Sequence, residues 1–131
     1  DITRTFSLGP ANPEVKNIYN IVQQANDAGF QAVQKGTPCQ DVDRAVRQVI
    51  ADAGYGKYFI HRTGHGIGLE IHEEPYIVAG NTMPLAEGMV FSIEPGIYLP
   101  GKIGVRIEDT IALTEKGAVR LHRFPRELIE F

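Results

Sequence analysis

The sequence predicts an α+β fold with two helices and an antiparallel sheet of short strands. Two segments near the start carry apolar residues at helical spacing, whereas the residues after Tyr55 alternate in polarity or are interrupted by glycine. Helices followed by a run of short strands are typical of α+β domains. With 131 residues, 43% of them hydrophobic, the chain can bury one core, and no linker or repeat divides residues 1–131.

A short strand and a first helix open the chain. Residues 1–6 alternate polar and apolar side chains, as in a strand. Asn12 then offers an N-cap, and Pro13 suits the first helical position. Apolar residues recur at helical spacing from Val15 to Ala32, and the Lys35-Gly36 pair predicts the end of the helix.

A second helix is predicted to begin at once. Thr37 is the expected cap, Pro38 follows it, and Gln40 completes a capping box. The apolar stripe runs from Val42 to Ile50, and Gly54 is the expected stop.

The remaining residues are predicted to form short strands. Residues 59–71 are strand-like but broken by glycine, and residues 89–98 and 103–113 alternate in polarity. Gly117 marks a turn before a last apolar segment at residues 119–121. Sequential strands of this kind predict antiparallel pairing.

Composition excludes several classes of function. The net charge of −3 and the lack of a dense Lys or Arg run argue against a nucleic-acid partner. No apolar stretch approaches the roughly 20 residues of a membrane span, and no leader-like segment is present. The single cysteine, Cys39, cannot form an internal disulfide and is expected to be a packing residue. These features predict a cytoplasmic protein.

Four side chains with metal-binding groups lie in separate segments. His65 stands between Gly64 and Gly66, Glu94 precedes a Pro-Gly pair, Glu108 lies in an alternating segment, and Asp1 opens the chain. One imidazole with several carboxylates suits Mn²⁺, Co²⁺ or Zn²⁺. Glu94 and Glu108 have apolar neighbours, where an unpaired carboxylate would be costly. A metal ion is the simplest positive partner for them.

The glycine-rich segment around His65 admits other interpretations. His61 and His65 are four apart, which on a helix would suggest a zinc-protease motif, but residue 62 is Arg and the glycines disfavour a helix. The glycine spacing does not fit a dinucleotide-binding turn either. On an extended segment the two histidines share a face, and the glycines let backbone or substrate approach closely.

Charged residues elsewhere divide into candidate site residues and ordinary surface residues. Period two places Arg106 and Glu108 on one face of a strand, where a surface ladder is the alternative to a site. A buried, hydrogen-bonded glutamate is the alternative for Glu94. Residues expected in solvent are His122, Asp109, Glu73 and Glu74. Residues expected as helix-start charges are Glu14, Asp41 and Asp43.

Together these segments resemble the Xaa-Pro peptidase branch of the pita-bread metallopeptidases, which contains the proline dipeptidases and aminopeptidase P. The motifs that carry the resemblance are Asp1-Ile2-Thr3-Arg4-Thr5-Phe6, the His61-to-His72 segment, Ile93-Glu94-Pro95-Gly96-Ile97-Tyr98 and Val105-Arg106-Ile107-Glu108-Asp109. They span the chain in the family's order. The resemblance implies the C-terminal half of the pita-bread fold, with two helices packed on a curved antiparallel sheet. Residues 1–131 would then be the C-terminal portion of the catalytic domain, with the N-terminal domain and the first part of the catalytic domain absent.

The resemblance also implies a cofactor and its ligands. The family site holds two divalent metal ions, Mn most often, with Co or Zn as alternatives. By resemblance Asp1 and Glu108 bridge the metals, and His65 and Glu94 bind one of them. The family's first aspartate precedes the position of Asp1, so the site is expected to be incomplete in this chain and the isolated chain inactive.

The implied reaction is hydrolysis of the Xaa-Pro bond at the N-terminus of di- or oligopeptides by a metal-bridged hydroxide. By resemblance His61 and His72 hold the substrate, Glu94 also transfers the proton, and Arg106 orients Glu108 or contacts the substrate. By resemblance some dipeptidases use an Arg in this region for the substrate carboxylate. Residues 73–80 contain none, which slightly favours an aminopeptidase or mixed specificity.

Two alternatives and one assembly prediction accompany this interpretation. A methionine aminopeptidase shares the glycine–histidine segment, and a non-catalytic pita-bread module would keep the fold without the metals. Sheet edges and apolar faces left uncovered in such a portion of a domain predict a homodimer or higher assembly.

Overall fold

The structure, a computed structural model that describes residues 1–131, contains two α-helices and nine short strands, in agreement with the predicted α+β class. The helices are α1 (Pro13–Ala32) and α2 (Cys39–Asp52), followed by a 3₁₀ turn at Gly56–Tyr58. The strands are β1 (Phe6–Ser7), β2 (Gly64–Gly66), β3 (Glu73–Ile77), β4 (Val90–Ile93), β5 (Gly96–Leu99), β6 (Ile103–Arg106), β7 (Asp109–Thr114), β8 (Gly117–Arg120) and β9 (Ile129–Glu130).

A five-stranded antiparallel sheet is the main β element, in the order β3-β2-β4-β7-β8. Strands β5 and β6 form a separate antiparallel pair, and β1 pairs in parallel with β9. Helix α1 packs against α2 and against β4, β5 and β6, while α2 also contacts β3. The core lies between the helices and the sheets, and the fully buried Cys39 is part of it, as expected.

Helix α1 begins as its sequence predicts. Asn12 accepts a hydrogen bond from the Val15 amide (3.0 Å), and Pro13 is the first helical residue. The helix ends at Ala32, before the expected Lys35-Gly36 pair. Its buried face includes one polar side chain, Asn26, among apolar residues.

The start of α2 differs from the prediction. Thr37 does not cap the helix, and no side chain does. Instead, the amides of Cys39 and Gln40 donate to the carbonyls of Met83 (2.9 Å) and Asn81 (2.8 Å). The capping-box prediction is wrong because a returning loop, distant in sequence, supplies the acceptors that the first helical turn requires.

Of the predicted strand at residues 59–71, only Gly64–Gly66 is a strand, and it lies between β3 and β4. A Cβ atom at Gly64 would overlap the Ser92 carbonyl, and one at Gly66 would overlap the Glu74 carbonyl. The glycines therefore let neighbouring backbone approach on both sides, which is one of the two reasons expected for them. His65 is held between two strands as a result.

The two glutamates of interest lie where strands are interrupted. Ile93 is paired with Asp109, and Gly96 with Arg106, so the β4–β7 pair is followed by the β5–β6 pair after an interruption on both sides. Glu94 lies in the gap between β4 and β5, and Glu108 lies in the facing gap between β6 and β7. The interruption brings the two side chains to the same place in the fold.

Candidate active site

His65 has the surroundings of a metal-binding histidine. Its ring is buried, and Nδ1 lies 3.0 Å from the Gly66 carbonyl. A carbonyl can only accept, so Nδ1 carries a proton, and Nε2 is the ring atom that is left to face the carboxylates. That Nε2 lies 3.4 Å from Glu94 Oε1 and 3.5 Å from Asp1 Oδ2. An imidazole nitrogen beside two carboxylate oxygens is a donor set that a divalent cation can bind.

The spacing of the donor atoms fits such a cation. One ligand atom each from Asp1, His65 and Glu108 lie within 4.8 Å of one another. Atoms that bind one ion at about 2.0–2.2 Å lie roughly 3–3.5 Å apart, as the two oxygen contacts of His65 do. The four candidate ligands Asp1, His65, Glu94 and Glu108 are therefore brought together, and the residues present fit a divalent metal.

Hydroxyl groups hold the two glutamates. Ser92 donates to Glu94 Oε1 (3.2 Å), and Thr3 donates to Glu108 Oε2. Arg106 Nε donates to the Thr3 hydroxyl (3.1 Å), and its guanidinium lies 4.0 Å from Glu94 Oε2. Arg106 thus reaches both glutamates, one of them through Thr3, and carboxylates fixed in this way keep a defined geometry.

Asp1 is fixed through its backbone. Its carbonyl accepts hydrogen bonds from the Thr110 hydroxyl (2.8 Å) and from His122 Nε2 (2.7 Å). His122 was expected in solvent, and this expectation is wrong because the C-terminal segment folds back over the first residue. The Asp1 side chain is 43% exposed, the most open of the four candidate ligands.

His61 lies at the side of the site and is held in one tautomer. Its Nδ1 is 2.8 Å from the Arg62 carbonyl, so Nδ1 donates, and Nε2 accepts from the Tyr98 hydroxyl at 2.8 Å. Burial lowers the pKa of His61, and the positive charges of Arg106 and Arg47 lower it further. The ring is therefore neutral at pH 7.

A cleft beside His65 connects these residues. Its volume is about 450 Å³, and it is lined by His61, Arg62, His72, Glu94 and Arg106. The His72 ring stands edge-on to the His65 ring, with 4.6 Å between centroids. All four of the predicted catalytic residues, His61, His72, Glu94 and Arg106, therefore line one polar cleft that can hold a small peptide.

Asp43, expected to be a helix-start charge, is buried. It accepts from Arg47 Nε (2.9 and 3.0 Å) and from the Thr63 hydroxyl (2.7 Å). Arg47 also donates to the carbonyls of Phe59 (3.2 Å) and His61 (2.6 Å). The expectation is wrong because this carboxylate fastens α2 to the segment that leads into the site.

Asp109, expected in solvent, is also completely buried. Its Oδ1 accepts from Arg4 (2.7 Å), and its Oδ2 lies 3.3 Å from Arg120 Nε. The expectation is wrong because the first and the last parts of the chain each bring an arginine to this strand. Glu74 and Asp41 remain partly or fully exposed, as expected.

Several residues that shape the site were not singled out from the sequence: Thr3, Asn26, Arg62, Ser92 and Tyr98. Tyr98 belongs to the Glu-Pro-Gly-Ile-Tyr segment and Thr3 to the first segment, so the motifs could have indicated both. Asn26 offers no sequence pattern beyond being a polar residue on an apolar helix face.

Comparison with known proteins agrees with this geometry. Residues 1–115 match the model of metallopeptidase family M24, so the chain belongs to that family, and the expected family is confirmed. Its fold is that of the C-terminal portion of the pita-bread metallopeptidases, in agreement with the prediction.

Individual relatives are similar over nearly the whole chain. Dipeptidase PepE from Mycobacterium ulcerans is 55% identical over 99% of this chain and 35% of its own, with a TM-score of 0.97. An X-Pro aminopeptidase from Thermotoga maritima is 43% identical over 100% of this chain and 37% of its own, with a TM-score of 0.96. The Xaa-Pro dipeptidase of Pyrococcus furiosus is 49% identical over 98% of this chain. The chain spans 37% of that relative's length.

Neither helix has the combination of length and apolar character that crossing a membrane requires.

Proposed function

We propose that this chain contributes the metal site of an exopeptidase that hydrolyses the Xaa-Pro bond at the N-terminus of di- or oligopeptides. The support is the family, the names of relatives that are dipeptidases or aminopeptidases acting at proline, and the convergence of Asp1, His65 and Glu108, with Glu94 3.4 Å from His65 Nε2. Activity, substrate and assembly belong to the complete protein and are proposed at that level.

The single observation that carries the proposal is the orientation of His65. Its Nδ1 donates to the Gly66 carbonyl, and its Nε2 faces the carboxylates of Asp1 and Glu94. This is the arrangement by which metal-binding histidines are oriented, with a backbone carbonyl on the second ring nitrogen.

Asp1, His65, Glu94 and Glu108 are proposed to hold two divalent metal ions, with Mn²⁺ the best candidate and Co²⁺ or Zn²⁺ possible for the same ligand types. Asp1 and Glu108 are the proposed bridging carboxylates. When bound, the metals supply Lewis-acid activation of a carbonyl and of water.

The remaining side chains are assigned roles by their contacts. Glu94 lies between His65 and Arg106 and is proposed to hold and return the reacting proton. Arg106 keeps Glu94 and, through Thr3, Glu108 in place. The neutral His61 ring and the exposed His72 ring line the cleft and are proposed to contact the substrate carbonyl and the proline side.

The proposed selection for proline rests on a hydrogen-bond acceptor that the cleft does not have to provide. The nitrogen of an Xaa-Pro bond has no hydrogen, so no acceptor is required for it. The cleft is lined by two histidines and two arginines, and their rings and aliphatic stems are proposed to cover the proline ring.

The test is hydrolysis of an Xaa-Pro dipeptide by the complete gene product, with and without added Mn²⁺. Metal-dependent cleavage that is lost in Glu108→Gln is expected, with Glu115→Gln, on an exposed turn, as the control. Xaa-Pro tripeptides, assayed in parallel, separate a dipeptidase from an aminopeptidase, because only an aminopeptidase cleaves them. The sequence slightly favours an aminopeptidase or mixed specificity.

Other outcomes would change the proposal. Cleavage of Met-Ala peptides in preference to Xaa-Pro peptides would indicate a methionine aminopeptidase. Metal binding without any peptide cleavage, or no metal binding at all, would indicate a non-catalytic module. Light scattering on the same preparation tests the proposed homodimer or higher assembly, and cell fractionation tests the cytoplasmic location.

A further inference from the structure

Asn26 is a buried amide whose hydrogen-bonding capacity is fully used. It lies on the inner face of α1 and is 1% exposed. Its Nδ2 donates to the carbonyls of Ile93 (3.0 Å) and Ile107 (3.4 Å). Its Oδ1 accepts from Arg120 (3.1 Å) and Arg126 (3.0 Å). An amide group has two donor hydrogens and two acceptor positions, so no capacity is left over.

The arginines determine which way the amide faces. A guanidinium only donates, so Oδ1 must point to Arg120 and Arg126, and the two hydrogens must point to the carbonyls. Asp27 fixes the same arginines from the other side, with its Oδ1 at 2.8 Å from Arg120 and 2.7 Å from Arg126. The donors of Asn26 are thus held in a fixed direction.

The two carbonyls that Asn26 binds belong to the residues immediately before Glu94 and Glu108. Glu94 follows Ile93 in the gap between β4 and β5, and Glu108 follows Ile107 in the facing gap between β6 and β7. Across the two gaps the backbone makes one hydrogen bond, from the Ile107 amide to the Pro95 carbonyl (3.3 Å), whereas the amides of Glu94 and Glu108 donate elsewhere, to Thr63 (2.8 Å) and Thr3 (3.0 Å). Asn26 adds a side-chain link between the same two interruptions.

Packing alone does not account for an asparagine at this position. Asparagine is a poorer helix former than alanine or leucine, and burying its amide is costly unless all its groups are paired. A leucine of similar size would fill the space, but it would leave the two carbonyls without their partner. The bonds themselves are the distinguishing property of Asn26.

We propose that Asn26 is a positioning residue that sets the distance between Glu94 and Glu108 at the metal site. The inference rests on the proposed function, since it assumes that both glutamates bind metal. Metal sites require their ligands within about 0.5 Å of the productive geometry. Loss of a group that orients ligands typically weakens metal affinity by about 10–100-fold.

The test is the Mn²⁺ dissociation constant, measured by isothermal titration calorimetry on the complete gene product. Asn26→Asp keeps the size and the contacts with both arginines but removes the two donors. It is expected to raise the dissociation constant at least about tenfold. The matched control is Leu85→Ala, which removes a buried side chain beside the start of α2, away from the glutamates. It is expected to lower the melting temperature and leave the dissociation constant within about twofold.

A second variant covers the case in which Asn26→Asp does not fold. Arg126→Gln removes one of the two arginines on Asn26 Oδ1, touches no candidate ligand and lies in a partly exposed segment. It is expected to raise the Mn²⁺ dissociation constant several-fold, with the melting temperature of the metal-free protein changed less than in Leu85→Ala.

The outcomes separate this inference from the proposed function. If the folded variants of Asn26 or Arg126 bind Mn²⁺ as tightly as wild type, Asn26 is a structural residue only and the inference is overturned. If wild type itself binds no metal, the proposed function fails, and the inference fails with it. Tight metal binding by wild type and Leu85→Ala, with weak binding by Asn26→Asp, supports it.

Discussion

Asp43 and Asp41 lie two residues apart at the start of α2, yet their replacement by asparagine is expected to have very different effects. Asp43 is 1% exposed and receives hydrogen bonds from Arg47 and Thr63, whereas Asp41 pairs only with the exposed Arg44. Asp43→Asn therefore removes a buried negative charge that two donors surround, and Asp41→Asn removes a solvated one.

The magnitude follows from these contacts. A hydrogen bond to a charged group contributes about 1.5–3 kcal/mol to stability. Asparagine keeps one acceptor oxygen and loses the other, so one such bond is lost. The Arg47 side chain is 33% exposed, and water compensates part of that loss, which gives an expected cost of about 2 kcal/mol for Asp43→Asn. For the surface pair of Asp41, the expected cost is at most about 0.5 kcal/mol.

The assay is urea unfolding of the complete gene product, followed by circular dichroism, with wild type and both variants measured at pH 7. Hydrogen exchange of the segment around His61 provides a second readout, because Arg47 donates to the carbonyls of Phe59 and His61. Faster exchange there is expected only in Asp43→Asn. Equal costs for the two variants, or unchanged exchange around His61, would refute the reasoning.

Three further predictions concern glycine packing, pH and metal. Gly64→Ala should cost about 3 kcal/mol in thermal unfolding, because its methyl group would overlap the Ser92 carbonyl. Gly56→Ala should be neutral or slightly stabilising, because its methyl group meets only ordinary contacts. Equal effects of the two substitutions would contradict the close approach of backbone at Gly64. Burial lowers the pKa of His61 below its ordinary 6.5, so the unfolded chain binds the proton more readily than the folded one. The free energy of unfolding should therefore fall as the pH drops below about 6.5, and the loss between pH 7 and pH 5 should be smaller in His61→Gln. An identical loss in both proteins would argue against a role of His61 in this pH dependence. Mn²⁺ at 100 times its dissociation constant should stabilise wild type by about 2.7 kcal/mol in thermal melts and have no effect on His65→Ala. A similar stabilisation of His65→Ala would mean that the metal binds elsewhere.

The sequence predicts those features that depend on neighbours along the chain. The Asn12 cap of α1 follows from Asn12 and Pro13 alone, and it is confirmed. The convergence of His65, Glu94 and Glu108 is also indicated, because each lies in a short motif. The resemblance to the family indicates which segments, distant in sequence, meet at the site, and periodicity alone does not indicate this.

What the sequence does not predict depends on contacts between distant segments. Thr37 has the residue type and position of a helix cap, but the first amides of α2 donate instead to the carbonyls of residues 81 and 83. Asp109 is a charged residue for which solvent is expected, but Arg4 and Arg120 arrive from distant parts of the chain to pair with it in the interior. Asn26 is one of many polar residues at the level of the sequence, and only the folded chain shows which carbonyls it binds.

The first residues of this chain are held by its last ones. Arg4 donates to the carbonyls of Phe124 and Pro125, and the Asp1 carbonyl accepts from His122. Contacts between residues so far apart in sequence form slowly, since a long stretch of chain must first be ordered. During synthesis, a ribosome-bound chain has made Asp1, His65, Glu94 and Glu108 before the segment from His122 to Pro125 has emerged. Under the proposed function, the metal site would therefore be completed late in biogenesis, when residues that bind no metal themselves arrive to hold Asp1 and Arg4.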